Sequence, residues 1–189
     1  MRFIIVHGTN GNPNENWFPW LKEELEKQSE EVFVPEFPTP KYQSLNNWMD
    51  FFEPYSSKID ENTVLIGYGL GTAFILSVLE KTNVKVKACF FVAGFIGQTG
   101  IEEYDELNKS FIDKKFDWEK IKQNCDQFVL LQSDNDPYIS LEKAQEFSTS
   151  LGVEPKIIKG AGHFNKASGY ETFPELLKIL KSLKKADSK

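Results

Sequence analysis

Three stretches carry residue types that can do chemistry together: VLIGYGLGTAF (64–74), LLQSDNDPYIS (130–140) and KGAGHFN (159–165). The first reads as a buried strand, a tight glycine turn and a helix start, the geometry that presents a nucleophilic serine in the pattern G-x-S-x-G. Here the frame is Gly67-Tyr68-Gly69-Leu70-Gly71, so glycine holds the tip. The third stretch places His163, one of two histidines, in a glycine-flanked loop. Alone, it is as well explained by a structural role as by a catalytic one. The second stretch adds Asp136, and an aspartate accepting from one imidazole nitrogen fixes the tautomer and leaves the other free as a base. Asp134 is a rival acid, although Asp136, directly before Pro137, fits a fixed loop position better. SDNDP also reads simply as a turn with Asx caps. His7 is expected to brace the end of the first strand, with substrate contact as the alternative.

Chemistry at these positions requires elements that bring them together. Candidate strands run over 2–7, 31–37, 63–68, 86–93, 127–132 and 155–159. Candidate helices run over 14–28, 44–57, 70–81, 118–123, 140–151 and 170–183. The third and fourth strands are near-continuous apolar runs, as expected when both faces of a parallel strand are covered. The alternation predicts one domain over 1–189, a three-layer, doubly wound α/β sheet of about six parallel strands. With strand order 2-1-3-4-5-6, the topological switch point lies between the first and third strands, where ligands of open α/β sheets bind. His7-Gly8-Thr9-Asn10 and the 67–71 turn stand just past those strand ends. The lysine-rich end, KILKSLKKADSK, suits a helix C-terminus and then a frayed tail. The segment 95–117 is too long for a plain connection. It is expected to be a lid carrying Phe95, Tyr104, Phe111 and Phe116, or else an excursion that those aromatics anchor.

Composition narrows the classes. The 189 residues are 40% hydrophobic with sixteen Phe, enough for a substantial core, and the formal charge is −6. Interspersed charges without a basic footprint argue against nucleic acid and anionic membrane surfaces. The two cysteines, Cys89 and Cys125, form no disulfide framework, and Cys89 reads as a small buried hydrophobe. MRFIIVHG holds too short an apolar run for a signal peptide or a membrane span, so a cytoplasmic protein is expected. Two isolated histidines offer no metal-ligand spacing, and no cofactor is expected. A dinucleotide site is disfavoured because Gly67-x-Gly69-x-Gly71 puts Thr72 where G-x-G-x-x-G needs its last glycine.

The chain order Gly69, Asp136, His163 is nucleophile, acid, histidine as in α/β-hydrolases. With FIIVHGTNGN, NWFPWLKEEL, LIGYGLGTAFIL, QSDNDPYIS and GAGHFN in order, the sequence resembles the small serine hydrolases that include YdeN-type proteins and retinoblastoma-binding protein nine. The resemblance implies a minimal α/β-hydrolase fold and a Ser-Asp-His triad, with Asp136 and His163 as acid and base. It also implies an oxyanion hole from the backbone N–H of Leu70 and of Thr9 or Asn10. The departure is at position 69, where the family pattern has serine, usually after histidine, and this chain has Gly69 after Tyr68. Trp17 is expected to pack the first helix, with pocket lining as the alternative. Tyr68 and Thr72 are not expected to replace the nucleophile, since side chains beside the tip are expected to point away.

Glycine adopts positive φ without the penalty a Cβ brings. Three readings follow. The first is a serine-hydrolase scaffold for small ester or related acyl substrates whose mechanism is impaired at Gly69, including a variant in which His163 activates water directly. The second is a pseudoenzyme that binds a small ligand or a protein partner in the same crevice. The third and weakest is nucleotide binding.

Overall fold

The computed structural model describes residues 1–186. Six parallel strands form one sheet in the order β2-β1-β3-β4-β5-β6, the order expected from the sequence. They are β1 Arg2–Val6, β2 Glu31–Phe33, β3 Thr63–Tyr68, β4 Ala88–Val92, β5 Phe128–Ser133 and β6 Lys156–Ile158. The helices are α1 Phe18–Glu26, α2 Leu45–Ser56, α3 Gly71–Lys81, α4 Glu102–Ile112, α5 Trp118–Gln123, α6 Leu141–Leu151 and α7 Pro174–Ala186. The tail expected beyond the last helix lies outside the described residues.

The period-2 pleat sorts side chains to the two faces of the sheet. Ile4, Val6, Leu65, Cys89 and Phe91 join one core cluster, beside Trp48 of α2, Phe74 of α3 and Phe147 of α6. Phe3, Ile5, Val64, Ile66, Phe90 and Val92 join the other, beside Leu21 of α1 and Leu180 of α7. The central strand is therefore buried on both faces, which is why TVLIGY shows no polar alternation. Helix α3 is apolar all round for the same reason, and every residue from Gly71 to Leu79 is buried.

The element ends differ from expectation for local reasons. β2 stops at Phe33, shortly before Pro35, which has no N–H to offer a ladder. α1 begins at Phe18 rather than near residue 14, because Asn16 takes a positive φ of 53° and Pro19 then opens the helix. α7 likewise begins at Pro174 after a separate 3-10 turn, Lys166–Ser168. The largest difference is α4, a helix within the 95–117 segment. Both cysteines are buried free thiols. Among the described residues no helix is long and apolar enough to cross a membrane.

Candidate active site

The turn between β3 and α3 is built by glycines with different jobs. A Cβ at Gly67 would lie 2.9 Å from the Gly71 backbone, and one at Gly71 would collide with the Val6 carbonyl oxygen. These two let helix, turn and β1 approach closely. Gly69, at the tip, has φ of +51°. Its N–H donates to the Val92 carbonyl (3.0 Å), and its carbonyl accepts from Thr72 N–H (3.1 Å). Space does not require glycine at the tip. A Cβ there meets only Gly8 Cα and His163 Nε2, each at 3.8 Å, an ordinary contact.

His163 follows β6 and Asp136 follows β5, and the two loops are laced together. His163 Nδ1 donates to Asp136 Oδ2 at 2.8 Å, leaving Nε2 toward Gly69. The other Asp136 oxygen accepts from the N–H groups of Tyr138 (2.9 Å) and Ile139 (3.1 Å), and the side chain is fully buried. Asp134 is turned to a different task, accepting from Gly160 N–H at 2.8 Å, while Asn135 Oδ1 accepts from Gly162 N–H at 2.8 Å. The Tyr68 hydroxyl donates to the His163 carbonyl (2.9 Å). Burial first, then the charges of Glu15 and Asp136, push the Tyr68 phenol far above its ordinary range, so it stays protonated.

The loop after β1 forms the opposite wall. Asn10 has a positive φ of 55°, and its N–H donates to Gln43 Oε1 at 3.2 Å. Gln43 Nε2 and Thr9 Oγ1 both donate to Asn108 Oδ1, each at 2.9 Å. Asn108 is a buried residue of α4. One buried amide thus ties α4, the loop after β1 and the 39–43 segment together. Between these walls lies a cavity of about 240 Å³, with Tyr68, Gly69, Leu70 and His163 lining it from the sheet side. Phe95, Thr99, Tyr104 and Asn108 of the 95–117 segment also line it.

A model of the serine hydrolase family matches residues 3–182. The chain belongs to the serine hydrolase family. Among curated proteins it is similar to YdeN of Bacillus subtilis (strain 168), 25% identical over 94% of this chain and 93% of that one. It is also similar to serine hydrolase RBBP9 of Rattus norvegicus, 26% identical over 95% and 94% of the two chains. Among solved structures, the ydeN gene product of B. subtilis superposes with a TM-score of 0.89 at 23% identity, covering 96% of this chain and 97% of that one. Polyneuridine aldehyde esterase superposes at 0.69 with 14% identity, covering 98% of each chain. These likenesses confirm the minimal α/β-hydrolase fold.

Within this fold, Gly69, Leu70, Thr9, Asn10, Tyr68 and His163 all line one cavity, and Asp136 stands behind the histidine. At two residues the alternative of substrate contact or pocket lining is corrected. His7 is fully buried and does not line the cavity. Its Nδ1 donates to the Gly8 carbonyl (2.9 Å), and its Nε2 accepts from Phe37 N–H (3.2 Å). The Phe37 and Trp48 rings pack edge-on to it at 5.6 and 5.2 Å, and burial pushes its pKa down, so it is a neutral brace. Trp17 is also fully buried, donating from Nε1 to the Phe164 carbonyl at 3.1 Å, and no part of it lines the cavity. Thr72 turns away from the cavity, with Oγ1 against Gly94. Tyr68 does face the cavity, against the expectation for side chains beside the tip, but its hydroxyl is committed to His163.

Several cavity residues carry little signal in the sequence. Asn108 is the hardest to find, because its only mark is an i, i+4 spacing from Tyr104 on a helix that is polar on average. Tyr138 and Asn165 are adjacent to motifs that do stand out. Glu15 sits in NPNENW with nothing local to mark it.

Proposed function

We propose that this chain is a serine-hydrolase-family protein whose crevice receives a small ester or related acyl compound, with hydrolysis impaired because Gly69 occupies the nucleophile position. The observation supporting this is the open reach of 3.8 Å from a Gly69 Cβ to His163 Nε2, backed by the 2.8 Å His163–Asp136 hydrogen bond. A serine hydroxyl one bond beyond that Cβ would come within hydrogen-bonding reach of the imidazole. His163 would take its proton, and Asp136 would hold the tautomer and stabilise the imidazolium. The N–H of Leu70 supplies one oxyanion donor. Thr9 is the better second donor, because the Asn10 N–H already serves Gln43. The segment 95–117 acts as a lid over this site through Tyr104, Phe95 and Asn108.

In the chain as it stands, the acyl carbonyl is bound and polarised with no side-chain oxygen at the tip to attack it. A pseudoenzyme that binds a ligand in the same cavity is the second reading, and it is favoured by the glycine itself, which relieves the strain of the turn. Labelling with a fluorophosphonate separates the two. If Gly69→Ser restores labelling at position 69, the remaining site is a working acyl-transfer apparatus. If that variant folds and does not label, the site has diverged beyond one residue and the binding reading stands.

A further inference from the structure

The cavity has a one-sided charge. Among the described residues no lysine or arginine lines it, and Glu15 is the carboxylate on its wall. Glu15 Oε1 packs against Gly11, and the carboxylate accepts from the Asn12 backbone N–H and, over a long 3.4 Å, from Asn12 Nδ2. Among the described residues, no cation pairs with it. Burial raises its pKa, as expected of a carboxylate partly removed from water without a counter-ion. Aromatic rings line the same cavity. Tyr104 and Tyr138 meet edge to face at 5.7 Å, and Tyr138 stands 4.9 Å from the His163 ring. A cavity combining one uncompensated carboxylate with several tyrosine faces is complementary to a cation. The carboxylate also sits beside the loop that carries Thr9, where its charge opposes a developing oxyanion unless something positive neutralises it.

We propose that Glu15 selects acyl compounds carrying a protonated amine, with the ammonium seated between its carboxylate and the tyrosine rings. This rests on the reading of the crevice as an acyl-compound site, and it narrows the substrate class.

The test uses two isosteric probes, the 4-nitroanilides of 3-aminopropanoic and butanoic acid, titrated by NMR into the protein with Gly69 unchanged and into Glu15→Gln. The variant keeps an acceptor for Asn12 and removes only the charge. The cationic probe is expected to bind about tenfold tighter than its neutral isostere, with the preference lost in Glu15→Gln. Equal affinities, no binding of the cationic probe, or a preference that survives Glu15→Gln overturns the proposal. Turnover of the matching 4-nitrophenyl esters is then read in the Gly69→Ser background. Adding Glu15→Gln should slow the cationic ester and speed the neutral one, opposite signs that a merely structural role would not produce. Silence of Gly69→Ser toward both esters counts against the hydrolase reading, while the binding preference at unchanged Gly69 still decides the role of Glu15.

Discussion

A backbone at φ +51° suits glycine and costs a residue with a Cβ about 1–3 kcal/mol. Because a Cβ at this position would make only ordinary contacts, backbone strain is the whole expected penalty. Gly69→Ser and Gly69→Ala should therefore each lose about 1–3 kcal/mol in a denaturant titration, and a loss well above that would mean the cavity floor is tighter than these distances indicate. Stability and nucleophile chemistry pull in opposite directions at this one position. His7 supports a second prediction. Its folded pKa is lowered by burial, so the unfolded chain binds its proton more readily, and stability must fall as pH drops below the unfolded histidine value of about 6.5. Replacing His7 with glutamine should flatten that part of the stability–pH curve, even if it lowers stability throughout. An unchanged slope would show that His7 takes up its proton in the fold as readily as in the unfolded chain.

At the scale of elements, α4 shows what is hidden in the sequence and why. Its first turn is acidic, its mean character is polar, and it buries only Asn108, Phe111 and Ile112. A helix so polar on average does not stand out from a loop by composition, although Glu102, Glu103 and Asp105 do complement a helix N-terminus. The aromatics of the segment fall into two groups. Tyr104 and Phe95 line the cavity, whereas Phe111 packs on Trp48 at 4.9 Å and Phe116 on Trp118 at 5.4 Å. Asn108 connects this helix to the loop after β1, so Asn108→Ala leaves the Gln43 amide and the Thr9 hydroxyl without their shared acceptor. That change should cost about 1–3 kcal/mol of stability. In the Gly69→Ser background it should also lower kcat by up to about a hundredfold through misplacement of the Thr9 donor. Loss of stability with unchanged kcat would leave Asn108 a structural tie alone. By contrast, the strands and α3 are legible because central parallel strands and the helix against them are apolar runs bounded by turn residues.

Over the whole molecule, the alternation of strands and helices is readable from pattern, while the sheet order enters as a supposition from which the switch point follows. The Asp136–His163 pair is readable because each follows a strand end on one edge of the sheet. Glu15 and Asn108 are not, since their meaning comes only from which walls the fold closes around the turn. The family, the sheet and the His163–Asp136 pair all frame one position, Gly69. On the proposed function, a single missing hydroxyl separates this chain from an efficient hydrolase. The most direct test is the steady-state turnover of a short-chain nitrophenyl ester by the protein with Gly69 and by Gly69→Ser, with Gly69→Ser/His163→Ala as control. A rise of several orders of magnitude, up to about a million-fold, is expected on restoring serine, with its loss in the control. A folded Gly69→Ser protein whose turnover stays at the level of the glycine form would contradict the proposed function.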